Sequence, residues 1–283
     1  MPEHTPLHDQ AARLREIASA VSQRPPVPVI TVTSGKGGVG KSTIALNAAI
    51  ALTDLGKSVL LVDADENLGN ITTMLGIAPA TTIADVAENS TDIDDALLSP
   101  LPRLKLLAGA SGDPRFDFRG ADLVNSLRTI EERVDVIIVD TSAGIGRETI
   151  GALLASDRSI LVTTPEPTAI LDAYAMMKRL TAEKADHPVN VLLNNVRVPR
   201  DGDEAIDKLG TAVRHFLHRE MSSLGSLPAD QHVAEAVMRQ QPLLRAFPRS
   251  GMALSLRVLA ETMAGSLVRQ SDRHNERRSL AIV

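Results

Sequence analysis

The sequence has no cysteine and no tryptophan, one tyrosine (Tyr174) and four phenylalanines in 283 residues. Without cysteine there is no disulfide, no thiolate metal site and no iron–sulfur ligation. With aromatics at 2% of the chain, any core has to be aliphatic. No stretch reaches the roughly 18 apolar residues that a membrane-crossing helix needs. The N-terminus lacks a positively charged segment followed by an apolar run, so the chain is expected to be cytoplasmic. A long basic block is also missing and the formal net charge is −5, so composition does not favour direct nucleic-acid binding. What remains is an ordinary globular composition, 43% apolar and 23% charged. The length suits one α/β domain with terminal extensions.

Residues 29–43 carry the densest information. A β-prone run, Val29 to Val32, leads into Gly35-Lys-Gly-Gly-Val-Gly-Lys-Ser-Thr43, and an apolar helical run begins at Ser42. This is the strand, loop, helix order of a P-loop, with the Gly-x-x-x-x-Gly-Lys-Ser spacing from Gly35 to Ser42. Gly35, Gly37, Gly38 and Gly40, with Val39 between them, let successive backbone N–H groups turn toward a polyphosphate. The following helix sets its positive dipole end beneath it. Lys41 is placed to bridge the β- and γ-phosphates of ATP, Ser42 to ligate Mg²⁺ and Thr43 to reach the α-phosphate.

Carboxylates recur at the ends of apolar runs. Ser58-Val-Leu-Leu-Val-Asp63 reads as a buried parallel strand and is followed by Ala64-Asp65. Arg133-Val-Asp-Val-Ile-Ile-Val-Asp140 reads as another, followed by Thr-Ser-Ala-Gly-Ile-Gly146. In a doubly wound sheet, ligands sit at the carboxyl ends of the strands, so these aspartates face the phosphates. Asp63 fits the outer surroundings of Mg²⁺, Asp65 the group that orients the attacking water, and Asp140 the Walker B position that holds a water on Mg²⁺. Gly144 and Gly146 give the loop the freedom of a γ-phosphate sensor. Further strands are expected at Leu104 to Leu107, Ser159 to Thr163 and Val189 to Leu193, and helices from Ala169 and His232. The alternation predicts a doubly wound, mostly parallel sheet with helices on both faces.

Before the P-loop, Leu14, Ile17, Ala18 and Val21 fall at i, i+3, i+4 and i+7, one stripe of a short amphipathic helix. Arg24-Pro-Pro-Val-Pro28 is a stiff linker. A helix this short docks either on the domain or on a partner, and the linker favours the partner. The expected division is residues 1–28 as this segment and linker, 29–270 as the ATPase domain and 271–283 as a polar tail.

The second lysine of the loop, Lys36, resembles the deviant Walker A motif of the MinD/ParA ATPases, in which it crosses a dimer interface. The resemblance implies an ATP-bound homodimer with Lys36 acting on the partner's phosphates, much as an arginine finger does. Lys36, Lys41 and Asp65 are then the residues that carry hydrolysis. The absence of cysteine excludes the nitrogenase-iron-protein branch of this class.

Three more stretches resemble the FlhG/FleN branch, whose members limit flagellar number: Asp9-Gln-Ala-x-x-Leu-Arg15, Thr164-Pro-Glu-Pro-Thr168 with Asp172-Ala-Tyr174, and Gln241-Pro-Leu-Leu-Arg-Ala-Phe-Pro-Arg249. That resemblance implies a switch ATPase acting through partners. One is a signal-recognition-type GTPase similar to FlhF, engaged through residues 9–21 with Gln10, Leu14 and Arg15 as contacts. The other is a σ54-dependent flagellar activator of the FleQ/FlrA kind. Asn194 matches the adenine-binding asparagine, with Asn195 leaving the register open, and Pro228 with Asp230 match the adenine-side loop.

Members of the branch end in a membrane-binding amphipathic helix. Here Met252, Leu256, Leu259, Met263 and Leu267 are assigned to the last core helix, and the tail from Ser271 ends in only Leu280-Ala-Ile-Val283, too little apolar surface for a firm anchor. The expected location is the cytoplasm, or peripheral at the inner membrane or cell pole. The rival reading is a MinD/ParA-type ATPase positioning a division site or cargo, against which the Asp-Gln-Ala extension speaks. A P-loop metabolic enzyme would need a further catalytic constellation, and none stands out.

Overall fold

A computed structural model describes residues 27–65, 70–87, 90–110, 120–127, 130 and 134–280. The proposed partner-contacting segment at residues 9–21 lies outside the described residues. The chain divides into two compact units, and the larger, Val27–Gly265, holds the whole sheet.

β1 (Val29–Ser34) is buried at all six positions and passes through the P-loop into α1 (Lys41–Asp54). Gly56, at φ 83°, turns the chain after α1 into β2 (Val59–Ala64). Three short helices follow, α2 (Asn70–Leu75), α3 (Ile83–Ala87) and α4 (Ile93–Ala96), and then β3 (Leu97–Leu101) and β4 (Leu104–Leu107). Next come α5 (Gly120–Leu127), β5 (Val136–Thr141), α6 (Arg147–Ala155), β6 (Arg158–Thr163), α7 (Pro167–Glu183) and β7 (Val189–Val196). The chain continues through α8 (Pro199–Leu217), β8 (Ser222–Pro228), α9 (His232–Met238), α10 (Leu243–Ala246) and α11 (Gly251–Leu280).

Among the described residues the sheet has eight strands in the order β3-β4-β2-β5-β1-β6-β7-β8, parallel throughout except for the β3–β4 pair. The sequence led to a mostly parallel sheet, and that is what forms. The long connections between parallel neighbours carry helices, as such crossovers require. β1 sits between β5 and β6, with the chain leaving toward β2 on one side and returning from β5 to β6 on the other. The crevice at the carboxyl ends of β1, β2 and β5 is where this topology puts a ligand.

The core is aliphatic, as the scarcity of aromatics required. Leu60 and Val62 of β2 and Ile137 and Val139 of β5 join one cluster with Leu123, Val124 and Leu127 of α5. Alternation sends Leu61 and Ile138 to the opposite face, where α1 packs against β1, β2 and β5. A second cluster joins Leu161, Val189 and Val191 to Met176, Met177 and Leu180 of α7 and to Leu209 and Val213 of α8. The stripe Met252, Leu256, Leu259, Met263 and Leu267 is buried, and the helix that carries it runs on to Leu280.

A buried polar cluster away from the carboxyl ends of the strands stands in this apolar setting. Thr31 Oγ1 lies 2.9 Å from Ser159 Oγ and 3.1 Å from Ser156 Oγ, and Ser159 Oγ lies 2.8 Å from His187 Nε2. Arg219 donates to the His187 carbonyl, and His187 Nδ1 has no partner. Burial, with the nearby charges of Lys184 and Arg219, lowers the His187 pKa to about 4, against the opposing charges of Asp186 and Asp157. The folded protein holds this imidazole neutral while the unfolded chain protonates it near its ordinary value, so its contribution is full above pH 6.5 and lost as pH falls toward 4. We expect wild type to lose about 1 kcal/mol more than His187→Gln between pH 7.5 and 5.5. Urea unfolding of both proteins at the two pH values measures this, and equal losses would contradict it.

Candidate nucleotide site

The P-loop closes the carboxyl end of β1. Gly38 and Gly40 have φ of 78° and 90°, a left-handed conformation that only glycine adopts at little cost. Gly40 has a second reason to lack a side chain, because a Cβ there would overlap Asn194 Nδ2. Asn194 reaches across from the end of β7 and donates through Nδ2 to the Val39 carbonyl at 2.8 Å. Gly35, read from sequence as part of the phosphate cradle, is also a packing requirement, since a Cβ there would overlap the backbone of Asp172 in α7.

Lys41 opens α1 and is buried. Its Nζ is 2.8 Å from Asp140 Oδ1, 3.6 Å from Asp65 Oδ2 and 3.4 Å from Ser42 Oγ. Asp63 and Asp140 are direct register partners on β2 and β5, both fully buried. The Asp63 carboxylate accepts the N–H groups of Asp65 at 3.3 Å and Ile71 at 3.2 Å. Ser142 donates to Asp65 Oδ1 at 3.1 Å. The structure therefore gathers Lys41, Ser42, Asp63, Asp65 and Asp140, which the sequence separates by 99 residues, at one end of the sheet.

The electrostatics follow from burial. Burial pushes the Asp63 carboxyl up to about 7, the Asp140 charge adding to it, while the N–H groups of Ile71 and Asp65 and the Lys41 ammonium oppose. Burial raises Asp140 as well, against Lys41 and the Ser42 hydroxyl. Asp140 Oδ2 is buried with no hydrogen-bond partner. An orphaned carboxylate oxygen beside a second buried carboxylate fits a divalent cation with its waters. Among the described residues no group of three His, Cys, Asp or Glu side chains could hold a metal alone. A magnesium ion here would therefore need Ser42, water and phosphate oxygens, as that ion ordinarily does.

Beside the loop opens a cavity of about 370 Å³, whose lining includes Gly37 to Gly40, Thr43, Asn194, Asn195, Pro228, Asp230, Val233 and Met252. Both asparagines line it, with Asn195 at a left-handed φ of 57°. The Asp230 carboxylate is occupied by protein donors: Oδ1 takes His232 N at 3.0 Å and lies 2.7 Å from His232 Nδ1, while Oδ2 takes Met252 N at 3.1 Å. Burial disfavours its charge, but the Met252 and His232 N–H groups outweigh this and hold its pKa at about 2. Asp230 thus shapes the cavity wall by tying it together.

Within this subunit, Lys36 Nζ lies 3.2 Å from Glu166 Oε2 and 3.2 Å from Thr168 Oγ1 at the start of α7. In the sequence Glu166 and Thr168 stand out only as part of a family-like stretch and Met252 only as a core position of the last helix, while Val233 has no signal beyond ordinary apolar character. Gly144 donates its N–H to the Ser34 carbonyl at 2.8 Å, which holds the glycine-rich segment after β5 against the P-loop.

A family description headed ParA, NUBPL iron-transfer P-loop NTPase, matches residues 27–264. The antiactivator FleN of Pseudomonas aeruginosa is 37% identical over 83% of this chain and 86% of its own. The flagellum site-determining protein YlxH of Helicobacter pylori is 31% identical over 84% and 82%. Among solved structures, the Pyrococcus furiosus cell division ATPase MinD superposes with a TM-score of 0.73 at 26% identity, over 84% of this chain and 98% of that one. MinD of Pyrococcus horikoshii, solved with Mg-ADP, gives 0.73 and 26% over 85% and 98%. The fold and the lysine-bearing loop define a P-loop nucleoside triphosphatase. The chain belongs to the ParA/MinD family of P-loop ATPases.

Gly40→Ala should lower stability by about 1–2 kcal/mol from the left-handed backbone alone, with more from the overlap with Asn194. It should also abolish ATP binding by displacing the loop. Thermal unfolding and calorimetry with ATP test both, and an unchanged variant would show that the loop does not need this geometry.

Proposed function

We propose that this chain is an ATP-driven dimerising switch that limits flagellar number by acting on partner proteins. The observation that carries the chemistry is Lys41 buried against Asp140 and beside Asp65 at the strand ends. The observation that carries the biology is the 37% identity to the antiactivator FleN, beside the 31% identity to a flagellum site-determining protein.

In this reading Lys41 leaves Asp140 for the β- and γ-phosphates of ATP, and the N–H groups from Gly37 to Ser42 surround the chain of phosphates. Ser42 would hold magnesium, with Asp63 and Asp140 beside it to hold its waters, and the ion would supply neutralisation of charge on the phosphate oxygens. Asp65, steadied by Ser142, orients the attacking water. Asn194 and Pro228 face the base, with Asp230 holding the wall behind them.

Lys36 acts in a second copy's site. Its pair with Glu166 is exposed, 42% and 61% by side chain, and such pairs are weak, so giving it up on dimerisation costs little. The segment at residues 9–21 engages an FlhF-like GTPase, and the ATP-bound dimer restrains a σ54-dependent activator. Among the described residues no helix is long and apolar enough to cross a membrane. Action in the cytoplasm, or at the inner membrane or cell pole through partners, suits this reading.

For the switch, Asp65→Ala with ATP and Mg²⁺ should run as a dimer by light scattering. Lys36→Ala should bind ATP yet stay monomeric, and Lys41→Ala should not bind. A persistent monomer of Asp65→Ala at high protein and ATP would sink the dimer. For the biology, deleting the gene in its flagellated host should raise the number of flagella per cell, counted by electron microscopy. Normal counts with misplaced septa would instead favour a role in division like that named for MinD of Bacillus subtilis, 29% identical to this chain.

A further inference from the structure

Asn47 is a polar residue in the middle of α1, 1% exposed. Asparagine competes with helix hydrogen bonding and is unfavourable there unless its amide has a task. Its Nδ2 donates to the Thr43 carbonyl one turn back at 2.8 Å, and its Oδ1 accepts the Leu244 N–H at 3.1 Å. Leu244 lies in the first turn of α10, where N–H groups have no acceptor within the helix. Asn47 therefore caps α10 from a different helix. Seven residues on, on the same face of α1, Asp54 takes two N–H groups of Arg245 at 2.7 and 3.0 Å. A helix of four residues cannot hold itself in water; these two contacts fasten it to α1.

The segment around α10 is also closed on itself. Asp230 accepts the N–H of His232 on one side of it and of Met252 on the other. Between them, the Arg239 guanidinium lies 4.9 Å from the centre of the Phe247 ring. Residues 230–252 thus form a loop whose ends share one carboxylate and whose middle is pinned to α1. Both ends supply cavity wall, through Asp230, Val233 and Met252, while α1 begins with the P-loop itself.

We propose that Asn47 is a positioning residue that locks the base-side wall of the cavity to the P-loop helix, so that affinity for the nucleotide's base depends on an amide that lines no part of the cavity. This rests on the reading that the cavity beside the loop takes the base of ATP. The wall and the phosphate loop are held to one helix, and loosening the wall weakens contacts to the base while leaving those to the phosphates intact.

The test separates the two ends of the ligand. Calorimetry on the full chain with Mg·ATP and with Mg·tripolyphosphate, which has no base, should show wild type preferring ATP. Asn47→Leu leaves a buried N–H unpaired and should weaken ATP binding about tenfold while changing tripolyphosphate binding less than twofold. Arg245→Met, a change at an exposed pair that leaves folding secure, should show the same pattern at about two- to threefold, and it carries the test if Asn47→Leu does not fold. Equal losses for both ligands, or no loss for either, would overturn the positioning role. Wild type binding both ligands equally would overturn the base-side reading on which it depends.

Discussion

The buried ammonium of Lys41 is the interaction around which the site is arranged. Its side chain is 7% exposed, it lies 2.8 Å from a carboxylate that is fully buried, and a second buried carboxylate stands in register on the next strand. A buried charge is tolerated only when paired and hydrogen-bonded. One lysine shared between Asp140 and Asp65 leaves Asp63 to two backbone N–H groups and leaves Asp140 Oδ2 without a donor. The crevice is short of positive charge on its own. A triphosphate that drew Lys41 away would deepen the shortage, and a divalent cation arriving with it would relieve it. The parallel register of β2 and β5 is what imposes this, because it sets Asp63 and Asp140 side by side.

The two lysines of the loop sit at opposite electrostatic extremes. Lys41 is enclosed, and any change in its pairing is expensive in a low-dielectric setting. Lys36 is 42% exposed and its partner Glu166 61%, so water and salt screen the pair heavily. Such a contact orders the side chain without committing much energy. Glu166 and Thr168 stand at the start of α7, whose backbone at Asp172 also presses on Gly35. Movement of α7 would therefore reach the loop start and its exposed lysine together.

The phosphate end was legible in the sequence because its parts are local or periodic. Glycine spacing, apolar runs of strand length and a carboxylate at the end of each run are all readable without knowing what packs on what. The strand β3 was not legible: Leu97-Leu-Ser-Pro-Leu101 contains a proline and pairs antiparallel at the sheet edge, where proline is tolerated. The helix α8 was missed as well, since it opens with Pro199-Arg-Asp-Gly and reads as a turn. Gly202 is there for packing, because a Cβ would come within 3.0 Å of Val196 Cγ1. The Lys36–Glu166 contact spans 130 residues and Asn47–Leu244 spans 197, and pairings of that range leave no periodic trace.

The cavity beside the P-loop, which the proposed function gives to the base of ATP, is built on a different principle from the phosphate end. Its wall comes from the last third of the chain and owes its position to single side chains, Asp230 and Asn47, rather than to strand register. The Asp230 pKa of about 2 keeps its carboxylate charged through the neutral range, so this tie holds at any pH at which the phosphate end functions. What can loosen it is mechanical, a shift of α9 or α10 against α1, and Met238 at the end of α9 is 85% exposed on that segment. The phosphate end is thus set by the sheet, while the cavity wall hangs on a surface segment that other molecules can reach.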